Sequence, residues 1–291
     1  MATKEEVRQY WERHPNAAAL GGNLGPATRD YFEAIEAHRY QAEPCIKEMA
    51  EFAIWSGLRV LEVGCGIGTD LRQFAKSGAT VVGLDLTFQG VSMTKKAFDL
   101  FGLKGDFVVA DAEALPFRAE AFDLVYSNGV IHHTPNTPAA VLEIYRVTRH
   151  GGQARVMVYH RNSYYRRVLI DLLFIPFVRV LTWVFPRGPL PRILELRIPP
   201  LLKNMYAIVL ERGFSRETIF ASSTDPSWPG EGNANPLSRA YSQAEAKRLF
   251  GMFKSSQTLV RQLYYADFLP GALHHRLEHR LGWFLFIRAF K

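Results

Sequence analysis

Residues 60–70 read Val-Leu-Glu-Val-Gly-Cys-Gly-Ile-Gly-Thr-Asp, an apolar run through Glu62 that ends in a turn with glycine at 64, 66 and 68. A strand must there enter a bend that lacks Cβ atoms, and a ligand can approach the backbone. The following helix keeps its first N–H groups for polar atoms of that ligand. Further apolar runs at 80–84 and 107–110 deliver Asp85, seventeen residues after Gly68, and Asp111. An acid ending the second strand suits the two hydroxyls of a ribose. The spacing is Gly-x-Gly-x-Gly rather than Gly-x-Gly-x-x-Gly, which disfavours pyrophosphate binding and hence an NAD-dependent oxidoreductase.

Apolar and helical periods alternate through this region, with strands expected at 58–63, 80–84, 107–110, 122–127 and 153–159 and helices at 69–77, 89–101 and 138–148. Such alternation predicts an α/β fold with a doubly wound, mostly parallel sheet. Helical spacing at 4–14 and 28–54 precedes it, with Thr28 a plausible N-cap and a Gly- and Ala-rich connection at 16–26. Ser242-Gln-Ala-Glu245 reads as a capping box opening a helix to residue 253, and β-rich runs follow at 258–264 and 283–290.

The stretches LEVGCGIGTD, GLDL, ADAEALPF and FDLVYSNGVIHHTP resemble the successive motifs of class I S-adenosylmethionine-dependent methyltransferases, of the quinone-methyltransferase-like type, over residues 58–160. The resemblance implies a seven-stranded Rossmann-like sheet with an antiparallel last strand. It implies S-adenosyl-L-methionine as cofactor, S-adenosyl-L-homocysteine as product, and a methyltransferase activity. It assigns the glycine loop, with Glu62, Gly64, Cys65, Gly66, Gly68, Thr69 and Asp70, to the methionine part of the cofactor. Asp85 and Leu86 fall to the ribose, Asp111 and Ala112 to the adenine edge, and Ser127 and Asn128 to the end of the fourth strand beside them. The expected organisation is an N-terminal helical lid at 1–54, a cofactor-binding core at 55–160, a cap or substrate insertion at 161–241, and the rest of the core at 242–291.

That insertion is long for a compact domain, which is the mark of a functional segment. The core sheet is expected to form without it. It also concentrates charge: the chain carries +7 overall, but between Arg146 and Arg216 thirteen Lys or Arg stand against Asp171, Glu195 and Glu211, leaving the remainder at −3. The most apolar stretch, 169–185, lies in the same segment, interrupted by Asp171, Pro176 and Arg179. It is too short and too charged to span a bilayer. Two readings stand: a cap helix packed on the core with solvated arginines, or peripheral membrane contact through 164–185 in a lipid or quinone methyltransferase. The basic residues are diluted by aliphatic ones, so nucleic acid is not an expected partner. With only Cys45 and Cys65, the latter in the glycine loop, and no apolar run at the amino terminus, a reduced cytoplasmic setting is the simpler expectation.

Methyl displacement needs positioning and a dry pocket, with a base optional. His132 and His133 follow the fourth strand at the ligand edge, either as a general base or as residues that orient a loop. Tyr40, Tyr31 and His14 belong to an aromatic-rich amino-terminal region that either reaches the cofactor and acceptor or simply packs. Tyr159 and Arg161 end the fifth strand, where the Arg either forks an acceptor anion or lies in solvent. Trp228, in the polar loop of the insertion, is a further candidate substrate contact. His274, His275 and His279 lack carboxylate partners at ligand spacing, so no metal is expected. The leading function is methyl transfer to O, N or C of a small or amphipathic acceptor, and a non-catalytic cofactor-binding protein is the alternative from another class.

Overall fold

The computed structural model describes residues 2–15, 25, 27–186, 190–224, 235–264, 266 and 269–291. Trp228 and most of the polar loop around it lie outside the described residues, as do nearly all of the connection at 16–26 and residues 187–189.

Strand β1 (Arg59–Val63) is buried at four of its five positions and pairs in parallel with β2 (Thr80–Asp85) on one side and β4 (Phe122–Asn128) on the other. Such double-sided burial is what a continuous apolar run in a parallel sheet requires. β3 (Asp106–Val109) extends the sheet beyond β2, and β5 (Thr148–His160) beyond β4. β8 (Phe284–Phe290) then runs antiparallel between β5 and β7 (Ser255–Arg261), giving the order β3-β2-β1-β4-β5-β8-β7. An eighth strand, the two-residue β6 (Ala240–Tyr241), pairs with the end of β5. β5 starts five residues earlier than the sequence pattern suggests, across a register shift between Phe122 and Leu124.

The helical spacing at 28–54 is not one helix. It divides into α2 (Arg29–Ala42), α3 (Cys45–Ala50) and a 3-10 turn at Phe52–Trp55. Pro44 has no N–H to continue the ladder and pushes Glu43 out of the helical region, to φ −130°. Ahead of it α1 (Lys4–Arg13) opens with a capping box between Thr3 and Glu6. Within the sheet, α4 (Thr69–Lys76), α5 (Phe88–Phe101) and α6 (Thr137–Val147) make the crossovers. The Ser242–Glu245 capping box is present and opens α11 (Gln243–Leu249), which ends four residues short of the expected limit. A further helix, α12 (Gly271–Leu281), without a fully buried side chain, was not expected between the last two strands.

The insertion is helical. A π-helical stretch, Tyr165–Phe174, runs directly into α7 (Ile175–Val184), followed by α8 (Arg192–Arg197), α9 (Pro200–Arg212) and α10 (Arg216–Ser223). Ile170, Ile175, Val178, Met205, Ile219 and Phe220 share one buried cluster with Met157 and Tyr159 of β5 and Phe284 and Phe286 of β8. The insertion therefore packs against one face of the sheet. Each such side chain contributes about 1.5–3 kcal/mol when fully buried. Among the described residues no helix is long and apolar enough to cross a membrane.

Candidate active site

Strand order reverses between β1 and β4, so the turns that follow these two strands open a crevice at their carboxyl ends. A cavity fills that crevice, walled by the glycine turn, Asp85, Asp111, Asn128 and His133. Gly64 has φ +79°, and a Cβ there would sit 2.3 Å from Val130 Cγ2, so the two turns touch at this point. Gly66 has φ +53°, yet its missing Cβ faces open space. Its N–H donates to Asp85 Oδ2 at 2.9 Å, while Thr87 donates to Oδ1 from its N–H at 2.9 Å and its hydroxyl at 2.6 Å. Burial raises the Asp85 pKa, and these bonds to its charged form oppose that rise.

Asp70, in the first turn of α4, is a hub. Arg39 of α2 forks it, Nε to Oδ1 at 3.2 Å and Nη2 to Oδ2 at 3.0 Å. The hydroxyls of Tyr40 and Tyr126 donate to it at 2.9 and 3.0 Å. Tyr40 thus acts through Asp70, does not line the cavity, and has its pKa raised by burial first and the Asp70 charge second. A phenol so held is a donor and not a base. Beside the hub, Glu62 Oε2 and Asn128 Oδ1 are buried with no partner among the described residues. Burial, and next Asp70, push the Glu62 carboxyl well above the usual range. Acceptor atoms left in this way invite a cationic donor.

Helix α1 straps the cavity. Val7 and Trp11 line it, Lys4 pairs with Asp111 and, at 2.8 Å, with Glu113, and Glu12 accepts from Phe88 N and Gln89 N at 3.1 and 2.9 Å. A carboxylate at the first turn of α5 is favoured by the helix dipole. Arg39, Trp11 and Val7 carry no local motif that would have assigned them, because they reach the cavity from α1 and α2, outside the strand-and-turn segment that builds it.

The two histidines differ. His133 lines the cavity, with Trp11 edge-on at 5.4 Å between ring centroids, whereas His132 is wedged at 4.1 Å from both His133 and Tyr159 and is fully buried. The Leu237 carbonyl lies 2.8 Å from His133 Nδ1 and the Asn235 amide nitrogen 2.9 Å. Donation to Leu237 puts the proton on Nδ1 and the lone pair on Nε2, the arrangement of a general base; donation from Asn235 reverses it. Burial, then His133, hold His132 well below its ordinary pKa, so it is a neutral ring.

The remaining sequence-expected residues divide by place. Glu62, Gly64, Cys65, Gly66, Thr69, Asp70, Asp85, Leu86, Asp111, Ala112 and Asn128 line the cavity, whereas Gly68 and Ser127 do not. Gly68 instead packs against Thr94, 2.9 Å from where its Cβ would stand. Tyr31 lies in an apolar cluster with Phe32, Ile35, Ile67 and Ala97, and His14 Nδ1 meets the Tyr10 carbonyl at 3.0 Å. Tyr159 stacks on Trp283 with ring centroids 4.4 Å apart. Arg161 binds Glu245 of the α11 capping box at 2.5 Å and the Ala240 carbonyl at 3.2 Å, which ties β6 to α11. Among the described residues no three His, Cys, Asp or Glu side chains gather as a metal set.

The family model of the methyltransferase domain matches residues 61–156, the span from β1 through β5 that builds this crevice. Residues 61–156 thus carry a methyltransferase domain. The chain is 37% identical over 126 residues to cycloartenol-C-24-methyltransferase 1 of Oryza sativa subsp. japonica, covering 40% of this chain and 37% of that one. It is 40% identical over 99 residues to the phthiotriol/phenolphthiotriol dimycocerosates methyltransferase of Mycobacterium leprae, covering 33% and 36%. The chain thus spans little more than a third of the length of these two relatives. The magnesium protoporphyrin IX methyltransferase of Synechocystis PCC 6803, solved with bound S-adenosylhomocysteine, superposes with a TM-score of 0.53 over 99% of both chains at 13% identity, which marks the shared methyltransferase fold.

Proposed function

We propose that the chain moves a methyl group from S-adenosylmethionine to an oxygen, nitrogen or carbon nucleophile of an amphipathic acceptor. One observation carries the reading: a single cavity runs from the Asp85 and Asp111 carboxylates, past a glycine whose missing Cβ leaves open space, to a histidine ring. The donor set fits the cofactor. Asp85 suits the ribose hydroxyls, Asp111 with Ala112 the adenine edge, and the orphaned Glu62 and Asn128 oxygens the ammonium of the methionine part.

S-adenosylmethionine, held by these residues, would supply an electrophilic methyl on its sulfonium, with S-adenosylhomocysteine as the leaving group. The chain's own share is positioning. Asp70, at the start of α4, ties that helix to Arg39 and Tyr40 of α2 and Tyr126 of β4, and α1 closes over the cavity. His133 Nε2 takes the acceptor proton where the nucleophile bears one. The lipidic nature of the acceptor is supported by the names of two relatives, which act on a sterol and on dimycocerosates, and by the apolar insertion.

Calorimetric titration tests the cofactor half: S-adenosylhomocysteine should bind and NAD should not. Incubation with methyl-labelled cofactor and fractionated extract tests the acceptor half, with label expected in the organic phase. Failure to bind S-adenosylhomocysteine would sink the reading.

A further inference from the structure

The helical stretch from Tyr165 to Val184 has two unlike faces. Ile170, Ile175, Val178 and Leu181 point into the fold. The opposite face leaves Leu172, Leu173, Phe177, Val180, Trp183 and Val184 exposed, Trp183 at 82%. These positions recur every three or four residues, so they form one stripe along a helix. A stripe of this kind is larger than the scattered apolar residues of ordinary surfaces. The only charge within it is Arg179, whose guanidinium lies over the Phe214 ring, itself exposed.

The charge around the stripe is mostly positive, with Asp171 engaged by Arg166. Leu190 and Ile198 pack on Leu181 and Tyr206, which holds α8 beside α7 and brings up Arg192, Arg197 and the 81% exposed Leu196. Arg179, Arg192 and Arg197 make no ion pair with any described residue, and the segment from Arg146 to Arg216 holds +10 of a chain whose remainder is −3. Aliphatic and tryptophan side chains flanked by unpaired arginines fit the boundary between acyl chains and anionic headgroups. A folded protein partner would have to meet this basic rim with acidic residues, whereas anionic headgroups supply that charge above an acyl layer.

We propose that the exposed face of residues 172–184, with Arg179, Arg192 and Arg197, docks the chain on an anionic lipid surface. The inference extends the lipid-acceptor reading, for such docking sets the cap beside the phase in which that acceptor dissolves. Its test does not need the reaction.

The whole chain should pellet with vesicles of mixed phosphatidylcholine and phosphatidylglycerol, and much less with phosphatidylcholine alone. Raising salt from 50 to 500 mM should weaken binding at least tenfold. Val180→Asp with Trp183→Asp should lower the partition coefficient tenfold or more while S-adenosylhomocysteine affinity and Tm stay at wild-type values, since both side chains are exposed. Equal pelleting with neutral and anionic vesicles, or unaltered binding by the double variant, overturns the proposal. So does light scattering that shows a dimer broken by the same substitutions, because the face would then cover a second copy. Vesicle binding by a chain that ignores S-adenosylhomocysteine would leave this inference standing and remove the methyltransferase reading instead.

Discussion

Glycines 64 and 66 have similar backbone angles and opposite surroundings, which separates folding from binding at one turn. Gly64→Ala drives a Cβ to 2.3 Å from Val130 and should destabilise the fold severely, read as a large drop in Tm. Gly66→Ala meets open space, so it should fold at a strain of about 1–2 kcal/mol and lose S-adenosylhomocysteine affinity, because the new methyl enters the cofactor path. Equal calorimetric affinity for Gly66→Ala and wild type would move the cofactor elsewhere. Asp85→Ala should lower affinity by roughly 1.5–3 kcal/mol, the scale of hydrogen bonds to a charged group. His132 offers a pH test. Its folded pKa is depressed by burial, so its stabilising contribution is complete above about pH 6.5 and is lost as pH falls and the unfolded chain takes up a proton that the folded ring refuses. The slope from this one group approaches about 1.4 kcal/mol per pH unit. Glu62, raised by burial, acts in the opposite sense, so the comparison must be between variants. His132→Phe should flatten the Tm profile between pH 7.5 and 5.5; an unchanged slope would show that His132 is not the buried neutral group.

At the scale of elements, α1 is held by a few polar contacts, one aromatic contact and the buried Val7 and Tyr10, and it lines the cavity from one side. The Lys4 pairs are partly exposed, and such pairs contribute about 0–1 kcal/mol each. Glu12 on the first turn of α5 is worth about 0.3–1 kcal/mol. The strap therefore has little holding energy beyond Val7, Tyr10 and Trp11. Removing residues 2–14 should weaken S-adenosylhomocysteine binding about tenfold while leaving Tm within a few degrees, whereas Glu12→Ala should weaken it only a few-fold. A truncated chain with full affinity would show that α1 does not enclose the cofactor.

For the molecule as a whole, the insertion packs its apolar face on β5 and β8. Uncovering Met157, Tyr159, Phe284 and Phe286 would expose four large side chains at about 1.5–3 kcal/mol each. Their sum rivals the 5–15 kcal/mol total stability of a domain. Replacing residues 165–223 by a Gly-Ser linker should therefore abolish the near-UV circular dichroism of the native core, not merely acceptor turnover. A deletion variant with native spectra and unchanged Tm would mean the sheet face needs no cover. Surface changes on the stripe, by contrast, should leave stability within about 0.5 kcal/mol.

The local chemistry of this chain is written in consecutive residues. The glycine turn, the acids closing β2 and β3, and the Ser242–Glu245 capping box each depend on backbone angles and short spacings, and those depend on neighbours in sequence. The parallel pairing of the central strands follows from the same alternation of apolar runs and helices, whereas their order is read from the folded sheet. What needed the folded chain is every choice made across long separations. Tertiary packing decided that His133 and not His132 meets the cavity, that Tyr40 and Arg39 spend their bonds on Asp70 from some thirty residues away, and that Arg161 serves Glu245. It also decided which face of the apolar insertion is buried. An amphipathic period names two faces, and only the contacts of Ile175, Val178 and Leu181 with the sheet and the cap assign one to the core and leave Trp183 to the outside.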